Sequence, residues 1–244
     1  MISIIIPLYN EEENVLAYPE RLIPVAESAI RKYGEDCEFV FVDDGSRDST
    51  LERLNALKAG ASGITVVPHG TNKGMGAAIR TGLAHARGDL VITMDSDLTY
   101  RPADIGKLLE AYRETGADCI SASPYRGSDL ANEVSSPFRL FISRAVNFLY
   151  RVLLGSDITC VSGIFRLYRK EALDELTLRS NNFEIDAEII SKLILRGRSV
   201  REIGVKLHGR EFGESKLDVK KEVRNNLVIL GRIFRARLFR EGWE

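Results

Sequence analysis

The chain has 244 residues, 44% of them apolar, which is enough for one full core and excludes an intrinsically disordered class. A formal net charge of -1 conceals a split: residues 1–137 carry 13 Lys and Arg against 21 Asp and Glu, and residues 138–244 carry 21 against 14. No apolar run approaches the roughly 18 residues that span a bilayer, and the run from Met1 to Pro7 is too short, with no basic flank, for a signal peptide.

Ser3 to Tyr9 reads as a strand, and Asn10 is expected to cap the next helix with Glu13 as its capping-box partner. Glu38 to Val42 is a second strand, ending in Asp43-Asp44-Gly45-Ser46, and Ser49-Thr50-Leu51-Glu52 is a second capping box. Ile64 to Val67 is a third strand. Lys73-Gly74-Met75-Gly76 then leads into a helix through His85, which Gly88 ends. Asp89 to Met94 is a fourth strand that closes on Asp95-Ser96-Asp97. Pro102 starts a further helix and Gly116 stops it, and Ala117 to Ala122 is a fifth strand. Such alternation predicts an α/β fold: a Rossmann-like, mostly parallel central sheet with helices on both faces. Ligands of such sheets sit outside the carboxyl ends of the strands, where Tyr9, Asp43, Asp44 and Asp95 converge.

The second half is basic and more helical. Residues 138–154 form a helix with Arg139, Ser143, Asn147 and Arg151 spaced by four, and Phe138, Phe141, Ile142, Val146, Phe148, Leu149 and Leu153 on its other faces. If several of those apolar residues face solvent, the helix lies in a membrane interface. Gly163 to Arg169 and Val200 to Leu207 read as strands, and Glu184 to Leu195 as a helix. A last helix from Asp218 to about Arg240 carries Arg232, Arg235, Arg237 and Arg240 among apolar residues. The basic half calls for an anionic partner, whether membrane surface, phosphorylated lipid or nucleic acid, unless these are only solvated helix faces. Cys37, Cys119 and Cys160 are odd in number and widely spaced, which fits reduced core thiols of a cytosolic protein. With no repeat, low-complexity segment or linker, residues 1–244 read as one domain.

Two carboxylates two residues apart at a strand mouth repel each other unless a cation sits between them, and a hard divalent ion is the simplest candidate. Gly74 and Gly76 invite a dinucleotide-binding reading, but they follow the third strand and lack the full G-x-G-x-x-G spacing, so it is rejected. Pro7-Leu8-Tyr9-Asn10-Glu11, Val42-Asp43-Asp44-Gly45-Ser46, Asn72-Lys73-Gly74 and Asp95-Ser96-Asp97 together resemble the family 2 glycosyltransferases of GT-A fold. Within that family the chain looks most like the dolichyl-phosphate mannosyltransferases and related polyprenyl-phosphate sugar transferases. Arg139-x-x-x-Ser143, Val161-Ser162-Gly163 with Phe165-Arg166, Phe183-Glu184-Ile185 and Gly213-Glu214-Ser215-Lys216-Leu217 carry that narrower match.

The resemblance implies roles residue by residue. Pro7, Tyr9 and Glu11 would line the nucleotide pocket, with Lys73 and Ser96 among the donor contacts, and Asp44 with Asp43 would face the base or ribose. Asp95 and Asp97 would serve Mg²⁺ or Mn²⁺ on the donor diphosphate, Asp95 also touching the sugar-nucleotide. Arg139 and Ser143 would hold the acceptor lipid phosphate, and Arg210 and Lys216 would close over the diphosphate on a loop loosened by Gly209 and Gly213. The catalytic set is then Asp95, Asp97 and Arg139. Two positions depart from the pattern: Thr99 stands where a further metal ligand, Gln, is often found, and Ser123-Pro124-Tyr125 lacks a phosphate-binding Arg, leaving Arg126 to substitute.

The expected reaction is inverting, metal-dependent transfer of a hexose, mannose from GDP-mannose, to dolichyl or another polyprenyl phosphate. The alternatives are UDP-glucose or another donor, a hydroxyl acceptor served by Glu184 or Asp186 as base, or a non-catalytic nucleotide-sugar-binding subunit. The chain would divide into a donor part (1–122), an acceptor part (123–217) and a basic amphipathic helix (218–244). It would sit at the cytoplasmic face of a membrane without crossing it, with a small membrane anchor subunit as a further partner and nucleic acid not among its ligands.

Overall fold

The computed structural model describes residues 1–126, 137–212 and 219–239, the side chains at 137–142, 219–222 and 239 excepted. Seven strands form one sheet: β1 (Ile2–Leu8), β2 (Cys37–Asp43), β3 (Ile64–Pro68), β4 (Leu90–Thr93), β5 (Cys119–Ser123), β6 (Arg166–Arg169) and β7 (Val200–Gly204), in the order β3-β2-β1-β4-β6-β5-β7. All neighbours are parallel except β6, which runs antiparallel between β4 and β5. β1 is buried along its whole length because helices cover both faces, which is why it reads as an unbroken apolar run.

Alternation along the strands sends side chains to two cores. Ile2, Ile4, Ile6 and Leu8 pack with α1 (Glu12–Arg21), α2 (Ile23–Arg31), α3 (Thr50–Gly60) and α5 (Ile105–Thr115) on one face. Ile5, Val40, Val42 and Val91 pack with α4 (Met75–His85), α7 (Lys170–Asp174) and α8 (Ile185–Leu195) on the other. A third cluster joins α8 to α6 (Pro137–Leu154) and α9 (Val219–Phe239). α6 and α9 therefore form an outer layer that does not touch the sheet through its main cores.

At two helix starts the expected cap is replaced, once by a partner distant in sequence and once by a neighbouring residue. Asn10 is not the cap of α1: it sits at φ 52°, Glu11 precedes the helix, and Asn10 Oδ1 accepts the Arg47 N–H at 2.8 Å. Ser49 makes no side-chain cap on α3. Instead Asp48 Oδ1 accepts from the Thr50 N–H at 3.0 Å and the Thr50 hydroxyl at 2.6 Å. Gly88 lies beyond the end of α4, which stops at His85, whereas Gly116 does end α5 in the left-handed conformation. The expected strands over 163–169 and 200–207 are shorter, Arg166–Arg169 and Val200–Gly204.

Candidate active site

The sheet order reverses at β1, which pairs β2 on one side and β4 on the other. The crevice at such a switch point is where an open α/β sheet binds ligands, and the chain leaves β1 through Tyr9-Asn10-Glu11 and β4 through Met94 to Asp97. The β4 exit turns sharply. Leu98 takes φ 56°, a conformation that costs a residue with a Cβ about 1 kcal/mol. That turn returns the Thr99 N–H to Asp97 Oδ1 at 3.0 Å. Tyr18 of α1 donates to the Ser96 carbonyl at 2.8 Å, and the Thr99 carbonyl accepts the His208 N–H at 2.9 Å. The Asp95-Ser96-Asp97 turn is thus held from its own backbone, from α1 and from the segment after β7.

Acidic groups crowd this turn. Burial pushes the Asp95 carboxyl well above the usual carboxylate range, the charges of Asp97, Asp186 and Glu11 push the same way, and Arg210 opposes them. Arg210 reaches Asp97 directly, Nη2 to Oδ2 at 2.6 Å. Glu11 is buried at the head of α1 and accepts from Asn14 Nδ2 at 2.6 Å, while its N–H donates to the Thr50 hydroxyl at 2.8 Å. Pro7 is buried in β1 opposite Val42, and Tyr9 is half-buried just beyond it.

Asp43 and Asp44 have separate tasks. Asp44 was expected to face the donor, but its carboxylate clamps the loop after β3: Oδ1 meets His69 Nδ1 at 2.7 Å and the Lys73 N–H at 2.9 Å, and Oδ2 takes the Gly74 N–H at 2.8 Å. His69 continues to the Thr81 hydroxyl of α4 at 2.9 Å, so this histidine has a structural task that its sequence neighbourhood did not reveal. Lys73 itself is exposed. Asp43 is buried, its Oδ2 accepts the Ser46 N–H at 3.3 Å, and its Oδ1 has no hydrogen-bond partner among the described residues. A buried carboxylate oxygen left open at a strand end is suited to a ligand N–H or O–H.

Gly74 and Gly76 serve packing. A Cβ at either would collide with the 180–182 backbone, and Gly74 also has φ 94°. The Asn181 carbonyl accepts the Gly76 N–H at 2.8 Å, occupying the start of α4.

Ser143, expected on the acceptor side, lies in a second cluster. Ser143 of α6 shares a 3.0 Å hydrogen bond with the Tyr125 hydroxyl, and Asn147 one turn on takes the Val161 N–H at 3.1 Å. Tyr125 had no assigned role from sequence. Its place beside the expected Ser143, after the Ser-Pro departure from the family pattern, was the available signal. Arg126 lies between Asp157 at 3.4 Å and Glu202 at 3.5 Å, so two carboxylates compete for the guanidinium that was expected to hold phosphate. Arg139 lies on α6 with its side chain outside the described residues, and Lys216 and the 213–217 motif lie outside them altogether. Glu184 accepts from Asn225 of α9 at 2.9 Å, tying α8 to α9. Arg166, fully buried, donates to the backbone carbonyls of Asp186 at 2.7 Å and Val161 at 2.7 Å and holds the site's floor together.

Residues 3–177 match the model of Glycosyl transferase family 2. The chain belongs to that family. An undecaprenyl-phosphate 4-deoxy-4-formamido-L-arabinose transferase from Pectobacterium atrosepticum is 34% identical over 221 residues, covering 90% of this chain and 63% of that protein. A Salmonella paratyphi B protein of the same description is 33% identical, covering 88% and 62%. The chain therefore spans less than two thirds of the length of these relatives. Glucosyl-3-phosphoglycerate synthase from Mycobacterium tuberculosis, solved with UDP, superimposes with a TM-score of 0.66 at 18% identity, over 97% of this chain and 79% of that one. The same synthase with Mn²⁺, UDP and phosphoglyceric acid gives 0.66 at 19%, over 97% and 78%. The fold of this family 2 protein is accordingly GT-A, as its motifs implied.

Among the described residues no group of three or more His, Cys, Asp or Glu is arranged to hold a metal ion. Asp95 and Asp97 still suit Mg²⁺ or Mn²⁺, because such ions keep few protein carboxylates and complete their shell with waters and substrate phosphates. Two observations support the fit: Asp95 feels repulsion from Asp97, Asp186 and Glu11 that Arg210 offsets only in part, and a guanidinium already stands in as the cation on Asp97.

Proposed function

We propose that this protein is an inverting, metal-dependent glycosyltransferase that moves a sugar from a UDP-linked donor to a polyprenyl phosphate. The observation that carries the reading is the crowding of Glu11, Asp95, Asp97 and Asp186 at the β1–β4 switch point, opposed among the described residues by the Arg210 guanidinium on Asp97. A site of this charge favours a cation together with a diphosphate. The reading moves the donor from GDP-mannose to the UDP alternative and the acceptor from dolichyl toward undecaprenyl phosphate. The similarity to undecaprenyl-phosphate arabinose transferases and to a UDP-binding synthase supports that move over the mannosyltransferase subtype.

In this reading Pro7, Tyr9 and Asp43 receive the nucleotide, Asp43 through its open Oδ1, and Asp44 keeps the Lys73–Gly74 loop in place beside it. Asp95 and Asp97 would hold the metal, which supplies charge neutralisation for the departing nucleoside diphosphate. Arg210 and Lys216 add cationic contacts to that leaving group. Arg139 and Ser143 orient the lipid phosphate, whose second pKa of about 6 leaves it ionised at neutral pH. It therefore attacks without a general base, and an in-line displacement inverts the anomeric carbon. Residues 1–122 would form the donor part, 123–217 the acceptor part and 218–244 the basic helix.

The acceptor's membrane location is supported by the outer layer. Phe148, Leu149 and Val152 of α6 and Leu227, Val228, Phe234 and Leu238 of α9 are exposed, among exposed Arg144, Arg151, Arg224, Arg232 and Arg235. Apolar side chains interleaved with arginines fit the interface of an anionic bilayer, at its cytoplasmic face in this reading. Among the described residues no helix is long and apolar enough to cross one. A hydroxyl acceptor is the second reading, with Asp186, whose charge acts on Asp95, as the candidate base.

The test is incubation with Mg²⁺, radiolabelled UDP- and GDP-sugars, and undecaprenyl or dolichyl phosphate in vesicles. Organic-extractable label from a UDP-sugar is expected. No such label with any donor overturns the reading, and label only from GDP-mannose restores the mannosyltransferase subtype. Arg139→Ala is expected to lose acceptor use while UDP binding, measured by calorimetry, survives.

A further inference from the structure

We propose that Arg210 is an internal counter-ion that occupies Asp97 until a metal–diphosphate pair displaces it, so that metal and nucleotide bind as a coupled pair. This rests on the reading of Asp95 and Asp97 as the metal-holding carboxylates.

Both oxygens of Asp97 are engaged. Oδ1 accepts the Thr99 N–H at 3.0 Å, and Oδ2 carries Arg210 Nη2 at 2.6 Å. Asp97 is buried, and the Arg210 side chain is only 29% exposed, so solvent screens this contact weakly. Arg210 is also delivered there by its neighbours. Two residues before it, the His208 N–H binds the Thr99 carbonyl at 2.9 Å. One residue after it, Glu211 makes a two-pronged contact with Arg21 of α1, with Nη2 to Oε1 at 2.7 Å. The segment is pinned on both sides of the arginine, one pin on the Asp97 turn itself and the other on the helix that follows β1.

A divalent ion bonds carboxylate oxygen at about 2.1 Å. Arriving on Oδ2 with the guanidinium in place, it would bring two positive centres within about 5 Å, a strongly repulsive arrangement in a partly buried site. The ion alone must therefore break the Arg210–Asp97 pair and leave the guanidinium close beside it, among the remaining carboxylates. A diphosphate alone meets the negative charge of Glu11, Asp95, Asp97 and Asp186, which Arg210 opposes among the described residues. When both arrive, the guanidinium exchanges a carboxylate for phosphate oxygens, which suit its planar fork equally well. Each ligand then raises the affinity for the other by the same factor.

The test measures Mn²⁺ binding to the full chain by electron paramagnetic resonance of the free ion, without and with UDP, so that no turnover is needed. In the wild type, Mn²⁺ alone is expected to bind weakly, and saturating UDP to tighten it at least tenfold. R210Q is expected to bind Mn²⁺ alone at least tenfold more tightly than wild type and to lose most of the UDP effect. R21A, which frees the Glu211 pin but keeps the guanidinium, is expected to move Mn²⁺ affinity the same way by a smaller factor. Equal Mn²⁺ affinity in wild type and R210Q, with D97N abolishing binding, overturns the counter-ion role and leaves the metal site standing. Mn²⁺ binding unchanged in D97N overturns both. Circular dichroism of each variant establishes that it has folded.

Discussion

The carboxyl-end edge of the sheet, where β1, β2 and β4 finish, and the layer formed by α6 and α9 are built in contrasting ways. At the edge, backbone register sets the positions: β1 pairs residue by residue with β2 and β4, and the turns that leave them are tied by the Tyr18–Ser96, Thr99–Asp97 and Asp44–Gly74 hydrogen bonds. The outer layer is joined mainly through side chains, with Tyr150, Leu154, Ile229, Leu230 and Ile233 at its core and few polar ties, such as Tyr150 to Asn226 at 2.9 Å. The edge is acidic, whereas the layer is basic and presents apolar side chains outward. A small, charged ligand needs fixed partners, while a long lipid at a surface needs a face that adapts. The contrast suits the proposed reading, in which one substrate comes from water and the other from a membrane.

The largest effect expected to test this contrast is at the edge. Asp97→Ala should lower label transfer at least about 10³-fold, as loss of a main charge-stabilising group does, with the far-ultraviolet dichroism unchanged. Turnover within tenfold of wild type would remove the edge from the chemistry.

The joint between the two regions is next. α8 contains a buried ion pair, Glu188 with Lys192 at 2.9 Å, and Glu188 also accepts the Ser180 N–H at 2.8 Å. Burial acts to raise the Glu188 carboxyl, but Lys192 and the Ser180 N–H outweigh it and hold it below its usual range. Such a depressed carboxyl contributes stability above its unfolded-state value of about 4.3, and loses it as pH falls through the lower folded value. Glu188→Gln leaves a buried ammonium uncompensated and should cost about 3 kcal/mol at pH 7 in urea unfolding. The difference should shrink toward pH 3, and a pH-independent loss would refute the ionic cause.

For the layer, Phe148→Glu with Val152→Glu should abolish flotation with anionic vesicles, on the order of a 100-fold drop in partitioning given about 1.5–3 kcal/mol per large apolar side chain. UDP binding should not change. Loss of UDP binding would mean that the two regions are not independent.

The smallest effect is chemical. Burial pushes the thiols of Cys119 and Cys160 up to about 12 and about 11, so both are neutral at pH 8 and should resist iodoacetamide in the native protein. Cys160 adjoins the acceptor cluster and Cys119 lies in the sheet. Mass spectrometry is expected to show Cys160 labelling before Cys119 if the outer region opens more readily. The reverse order would place the weaker packing in the sheet.

The five strands of residues 1–123 and their helices were legible because a buried parallel strand is a continuous apolar run between turn residues, a signal contained within a few neighbours. The convergence of Asp43 and Asp95 was legible for the same reason, since the alternation of strand and helix places those strand ends along one edge. Helix caps were not. Asn10 and Ser49 have the right chemistry to cap, but Arg47, 37 residues away, takes the Asn10 side chain, and Asp48, next to Ser49, supplies the oxygen that meets the Thr50 N–H. Nor could adjacency in sequence tell Asp43 from Asp44. A half-turn of backbone at the strand end sends one carboxylate to the His69 loop and leaves the other with an open oxygen.

The sequence by itself thus determined the alternating architecture, the acidic strand mouths and the basic second half, because each depends on local periodicity or composition. Only the tertiary structure decided that β6 inserts antiparallel between β4 and β5, that the apolar residues at 148, 149 and 152 face outward, and that Arg210 lies on Asp97. These are contacts between segments distant along the chain. Their free energy depends on what else is buried beside them, which no local pattern encodes.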